Sequence, residues 1–145
     1  LFTGTPGAGK TTMMLELANS LTRNGSTVIF NTAEESLYQL KMTVERLRLR
    51  SGFIAGQETN VPRLLKNCDK LREKNPKKPF FLIVDSLQCL NYGKYGEHNT
   101  NSKTAQRSMS LITDYCKENF CNAIVINVRM IRIRFCALTA RFGPK

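Results

Sequence analysis

The chemistry of this chain gathers first at Gly4-Thr5-Pro6-Gly7-Ala8-Gly9-Lys10-Thr11, which fits the pattern G-x-x-x-x-G-K-[ST]. Glycines at 4, 7 and 9 let the backbone turn its N–H groups inward, and the apolar positions Met13, Met14, Leu17, Ala18 and Leu21 continue as a helix whose positive end faces the same point. A phosphate belongs in such a nest. Gly4, Thr5, Pro6, Gly7, Ala8, Gly9, Lys10, Thr11 and Thr12 are therefore the candidate nucleotide-contacting residues. Lys10 would reach the β and γ phosphates as a point charge, and the Thr11 hydroxyl would complete the coordination of a Mg²⁺ that keeps most of its waters. A chance Gly-rich turn is the alternative, disfavoured by the strand-like Leu1-Phe2 before the loop and the helix pattern after it.

A second acid signal lies at Phe80-Phe81-Leu82-Ile83-Val84-Asp85, a continuous apolar run ending in a carboxylate. This is a Walker B pattern, and Asp85 at the end of a parallel strand would sit beside Thr11 and hold Mg²⁺ through water. Taken alone, an Asp there caps a turn as readily; paired with the glycine loop, the metal role is preferred. A third acid turn, Thr32-Ala33-Glu34-Glu35-Ser36, follows the apolar Thr27-Val28-Ile29-Phe30-Asn31. If the strands are parallel it lies at the same sheet end and brings a carboxylate toward the γ-phosphate. Periodicity does not choose between Glu34 and Glu35.

These groups need a scaffold that brings three strand ends together. Lys10 to Asn24 reads as an amphipathic helix closed by Gly25. Leu37, Leu40, Val44 and Leu47 form one helical stripe, and Phe53-Ile54-Ala55 a brief strand between Gly52 and Gly56. Thr59 or Asn60 caps a helix with Pro62 in its first turn and Leu64, Leu65, Cys68 and Leu71 inward; Asn75-Pro76 ends it. Lys66, Lys70, Arg72, Lys74, Lys77 and Lys78 crowd its far side and the turn beyond, as a solvated face or as a DNA contact. Ala105, Met109, Ile112, Tyr115 and Cys116 mark another core-facing helix before the strand run Ala123 to Val128. Alternating strands and helices predict an α/β fold, a mostly parallel sheet flanked by helices on both faces.

The composition is that of one globular domain with a real core: 145 residues, 41% hydrophobic and 23% charged. No apolar run is long enough for a membrane span and no signal-peptide pattern opens the chain, so no membrane partner is expected and a cytoplasmic location is. Five scattered cysteines without a C-x-x-C pair indicate reduced thiols and neither a zinc site nor a disulfide framework. His98 stands in a polar loop without ligand partners. The formal charge of +11, from 22 basic and 11 acidic residues, predicts a polyanionic partner. Asn91 to Ser102, with Tyr92, Lys94, Tyr95 and His98, is either a plain connector or a segment that stacks on and neutralises a single strand.

By residue 85 the chain resembles the RecA-like P-loop ATPases, and within them the RadA/Sms DNA-repair branch. The resemblance runs from about residue 2 to 127 and rests on several short motifs in order. These are the loop at 4 to 11, Ala33-Glu34-Glu35-Ser36 where the family has G-E-E-S, Val44-Glu45-Arg46-Leu47, Glu58-Thr59-Asn60, and Asp85-Ser86-Leu87-Gln88 where it reads D-S-I-Q. It implies ATP and Mg²⁺ as cofactors, Glu34 as the carboxylate that activates the attacking water, Lys10 and Thr11 on phosphates and metal, and Asp85 as the second metal-site acid. It also implies single-stranded DNA as partner, homo-oligomeric rings and a role in recombinational repair. Another RecA-like machine, such as a replicative helicase or clock-type ATPase, is the alternative, with a catalytically dead fragment a third.

Departures from the family pattern set further expectations. Family members usually carry a four-cysteine zinc module upstream and a Lon-protease-like domain downstream, neither of which falls within these 145 residues, and the few residues before the first motif glycine lead us to expect a missing upstream segment. Asn127 is followed by Val128-Arg129-Met130 where the family places a γ-phosphate-sensing His or Gln. Residues 132–144, with Arg141-Phe142-Gly143 near their end, resemble a worn copy of the family's last core strand and its K-N-R-F-G motif, lacking the Lys-Asn. The expected division is thus an ATPase core at 1–128, incomplete at its N-terminus, and an aberrant or truncated tail at 129–145. A deletion and a reading-frame error account for that tail equally.

Overall fold

The computed structural model describes residues 7–93 and 102–126. The expectations for Leu1 to Pro6, for the loop from Lys94 to Asn101 with His98, and for Asn127 onward, Cys136 and the tail included, lie outside the described residues.

Helix α1 (Lys10–Arg23) ends in a Schellman motif: the Ser26 N–H donates to Leu21 O at 3.1 Å and the Gly25 N–H to Thr22 O at 3.0 Å, with Gly25 at φ 87. Gly is wanted there because that conformation strains an L side chain. Strand β1 (Thr27–Thr32) follows, then α2 (Leu37–Arg46), β2 (Ile54–Gly56), α3 (Val61–Lys74), β3 (Phe80–Asp85), α4 (Ser102–Glu118) and β4 (Asn122–Ile126). The four strands form one parallel sheet in the order β2-β1-β3-β4.

Because side chains alternate along a strand, each central strand supplies two cores. Val28, Phe30 and Ile83 face Met14, Leu15 and Ala18 of α1 and Leu40 of α2. Ile29, Leu82 and Val84 face Val61, Leu64 and Cys68 of α3 and Ile112, Tyr115 and Cys116 of α4. The result is a helix–sheet–helix sandwich, and it explains why β3 reads as an unbroken apolar run. Among the described residues no helix is long and apolar enough to cross a membrane.

Two details depart from the periodic reading. The α2 stripe is only partly buried: Leu40 is in the core, but Leu37 is 43% exposed and lines, with Lys41, Val44, Phe53 and Ala55, an open cleft between α2 and the short edge strand β2. Arg72 is not on the outer face of α3. Its guanidinium turns inward, donating to Asn119 O at 3.0 Å and to the Tyr115 hydroxyl at 3.3 Å, while that hydroxyl donates to Asp69 Oδ1 at 2.7 Å. The network ties α3 to α4 at the end of the sheet where β3 begins.

Candidate nucleotide site

The parallel register sets the site. Thr32, the last residue of β1, pairs with Asp85, the last of β3, so both strands end at one edge. The Ala33 N–H donates to Asp85 O at 2.7 Å, carrying the pairing one residue past the strand and fixing where the Glu34-Glu35 turn starts. Thr32, 2% exposed, holds the turn with its side chain: its hydroxyl donates to Glu35 O at 2.8 Å and accepts from the Glu35 N–H at 3.0 Å. The Glu34 side chain is left exposed, and Glu35 is half-buried.

The glycine loop meets the same edge. Gly7 and Gly9 have φ 82 and 76, which place the chain for an abrupt entry into α1 at Lys10. No side chain caps α1 and its first turn holds no acid, so its leading N–H groups and its positive dipole end remain for an anion. The Thr11 hydroxyl donates to Asp85 Oδ2 at 2.6 Å, joining residues 74 apart in sequence. Lys10 is half-buried and acts on Asp85 through its charge.

The electrostatics are those of a site short of positive charge. Burial holds the Asp85 carboxyl above its ordinary range; the Thr11 hydrogen bond opposes this, the Glu34 charge adds to it, and Lys10 opposes it. Glu35 is raised as well, first by burial and then by Asp85 and Glu34. Three carboxylates thus repel one another beside one lysine, an arrangement that a divalent cation relieves.

The donors fit Mg²⁺. Thr11 Oγ1 and Asp85 Oδ2 are hard oxygens 2.6 Å apart, and an ion that prefers one or two protein oxygens plus phosphates and water needs no more. Among the described residues no group of three or more His, Cys, Asp or Glu side chains is placed to hold a metal ion.

Of the sequence candidates, Gly7, Ala8, Gly9, Lys10, Thr11, Thr12, Glu34 and Asp85 lie within the described residues, at the loop, the α1 start and the two strand ends; Gly4, Thr5 and Pro6 lie outside them. Sequence reasoning missed the residues that hold this edge together. Asn31, fully buried, clamps Glu58 with two bonds: its Nδ2 donates to Glu58 O at 2.8 Å and its Oδ1 accepts from the Glu58 N–H at 2.9 Å. The start of α3 is tied to the segment beyond Asp85, the Asn91 N–H donating to Thr59 O and the Val61 N–H to Asn91 O, both at 2.8 Å. Between them Ser86, fully buried, donates to Gln88 Oε1 at 3.0 Å. The available signal was polar Asn31-Thr32 directly after Val28-Ile29-Phe30: an amide in a buried strand must find partners.

The comparisons agree with this geometry. The model of the ATPase family associated with various cellular activities (AAA) matches residues 1–141. The chain is 28% identical over 128 residues to the DNA repair protein RadA of Aquifex aeolicus, covering 87% of this chain and 27% of that protein. It is 32% identical over 118 residues to RadA of Haemophilus influenzae, covering 81% and 24%, and 36% identical over 101 residues to RadA of Campylobacter jejuni, covering 65% and 20%. The chain therefore spans about a quarter of the length of these relatives. In fold it matches a DnaB-like replicative helicase solved in a study of its interactions with primase, with a TM-score of 0.67 at 15% identity, over 83% of this chain and 36% of that one. It also matches a second solved ATPase domain, with a TM-score of 0.63 at 17% identity, over 83% and 53%. With the family model covering residues 1–141 and RadA proteins similar along most of its length, the chain belongs to the AAA ATPase family and has a RadA-type, RecA-like P-loop core.

Proposed function

We propose that residues 1–128 form the nucleotide-binding core of a DNA-dependent ATPase of recombinational repair, binding ATP with Mg²⁺ and acting on single-stranded DNA in a homo-oligomeric ring. The observation that carries this reading is the 2.6 Å hydrogen bond from Thr11 to Asp85, which unites the loop and the acid strand at the sheet edge where Glu34 emerges. Identity of 28 to 36% to RadA proteins, against 15 to 17% to the two solved structures, favours repair over a replicative-helicase core.

In this reading the N–H groups at the start of α1 cradle the phosphates and Lys10 sets its ammonium against the β and γ oxygens. Bound Mg²⁺ would neutralise the charge that spreads over the γ-phosphoryl oxygens as it transfers. Thr11 and Asp85 would hold the metal from the protein side. Glu34, aimed by the Thr32-held turn, orients the attacking water and takes its proton, so the γ-phosphorus–oxygen bond breaks toward ADP and inorganic phosphate. Glu34 is exposed in the single chain, so water exclusion and further charge compensation fall to a neighbouring subunit or to DNA.

Isothermal calorimetry and steady-state turnover test these roles. ATP·Mg²⁺ should bind to the chain, and Lys10→Ala should abolish that binding; unchanged affinity in Lys10→Ala would refute the phosphate-loop assignment. Glu34→Gln should leave affinity nearly intact and remove residual turnover, with Glu35→Gln as its companion. Robust DNA-stimulated hydrolysis that survives Glu34→Gln but fails in Glu35→Gln would move the water-activating role one residue along.

A further inference from the structure

With Arg72 turned inward, the outer face of α3 is left with a simpler pattern than the sequence offers. Arg63, Lys66, Lys70 and Lys74 are all exposed. At 3.6 residues per turn they lie within an arc of about 80°, centred opposite Leu64 and Cys68, and their Cα atoms span about 16 Å along the axis. Lys77 and Lys78, also exposed, continue the charge into the next turn. Neither of the ion pairs Lys41–Glu45 and Arg72–Asp69 involves these six cations, and the exposed Glu73 is the carboxylate of α3 that borders the stripe. The stripe carries no aromatic side chain, so it addresses phosphates and not bases.

We propose that this face of α3 is a track for the sugar-phosphate backbone of single-stranded DNA, separate from the nucleotide edge. The class of partner rests on the DNA-acting reading above; the place rests on the face itself. A single strand is favoured over a duplex by shape. Phosphates of B-form DNA wind around an axis at 10–10.5 base pairs per turn and leave a straight row within a few steps, and a duplex this short is too stiff to follow it. A flexible single strand can lay successive phosphates along the helix. Backbone hydrogen bonds with Asn91 hold the N-terminus of α3, and the Arg72–Tyr115–Asp69 network holds its other end, so the helix that carries the row is anchored at both ends.

The test is fluorescence anisotropy of the whole chain with a labelled mixed-sequence oligonucleotide across a salt series. Neutralising four contacts on a single strand should reduce the slope of log K against log[salt] by about 3. The combined variant Arg63→Gln, Lys66→Gln, Lys70→Gln, Lys74→Gln should show that loss of slope and bind at least about tenfold more weakly at low salt. Gln keeps helix propensity, so its thermal melt and ATP·Mg²⁺ affinity should not change. A matched control, Arg23→Gln, Lys41→Gln, Arg46→Gln, Arg50→Gln, removes the same charge from other exposed positions and should keep wild-type slope. Equal losses in both variants, or none in the first, would overturn the α3 assignment while leaving the DNA-acting function standing. Duplex binding as tight as single-strand binding, or displacement of the DNA by polyglutamate at equal charge, would overturn the choice of partner. Absence of any binding by the unaltered chain would overturn the surface and its DNA-acting premise together, whatever the ATP result.

Discussion

Replacing Asn31 by alanine removes two short hydrogen bonds from a fully buried position one residue before the strand end. Both partners are backbone groups of Glu58, one N–H and one C=O, which the substitution leaves without the amide that pairs them. A buried polar group left unpaired costs about 1–3 kcal/mol. Glu58 itself is half-exposed, so water recovers part of that cost, and the net loss is about 2–4 kcal/mol. At roughly 3 °C per kcal/mol for a chain of this size, the melting temperature falls by about 6–12 °C. Urea denaturation followed by circular dichroism measures the free energy, with an unchanged m-value as the sign that the native fold is retained. Asn31→Asp separates the hydrogen-bond account from simple packing: it keeps the acceptor for the Glu58 N–H but sets a carboxylate against the Glu58 carbonyl in a buried site. It should be worse than alanine at neutral pH and recover as pH falls and the new carboxyl protonates. A loss under about 1 kcal/mol for Asn31→Ala, or neutral-pH stability in Asn31→Asp equal to wild type, would refute the clamp.

Asp85 and Glu35 have folded-state pKa values above their ordinary 3.8 and 4.5. Their contribution to stability is therefore full below those values and is lost as pH rises through the raised ones, so the ligand-free chain should gain from Asp85→Asn at neutral pH. The same substitution should weaken Mg²⁺-dependent ATP binding, and both changes are read by thermal melts with and without nucleotide. Tyr115→Phe removes the donor to Asp69 and a partner of Arg72, and should cost about 1–2 kcal/mol in urea denaturation with ATP affinity unchanged, since the network lies at the far end of the sheet. Burial pushes the Cys68 thiol up to about 12, so iodoacetamide should label Cys68 far more slowly than Cys89 in the native chain, and at comparable rates in denaturant.

The layered fold was legible because its signals are local. The run from Phe80 to Asp85 became β3 residue for residue, Gly25 closed α1, and Asn60 capped α3 by accepting from the Arg63 N–H at 3.1 Å. The α2 start was legible too and was passed over: Ser36 and Gln39 form a capping box, with the Gln39 N–H donating to Ser36 Oγ at 3.2 Å. What periodicity could not supply was pairing across distance. Asn31 with Glu58, and Thr59 and Val61 with Asn91, join segments about 30 residues apart, and neither partner carries a pattern that names the other. The exposed Leu37 and the inward Arg72 have the same origin, since what lies over a helix face is decided by topology and not by that helix. The acids of the site were visible as residue types, but the Thr32 hydroxyl that holds the glutamate turn was not, because a threonine at a strand end has many ordinary uses.

The hydrogen bond between Thr11 and Asp85 closes a loop of 74 residues, and every strand pairing beneath it is parallel and so reached only through a crossover. Closing such a loop in a flexible chain costs about 4 kcal/mol of entropy before any contact offsets it. The loop that greets the phosphates and the acid that completes the site are thus near the two ends of the folding schedule. As the chain leaves the ribosome, the glycine loop and α1 emerge before α2, β2 and α3 and remain half a site until β3 docks beside β1. Competence for nucleotide is a late event of folding, gained in one step when the sheet closes rather than accumulated helix by helix.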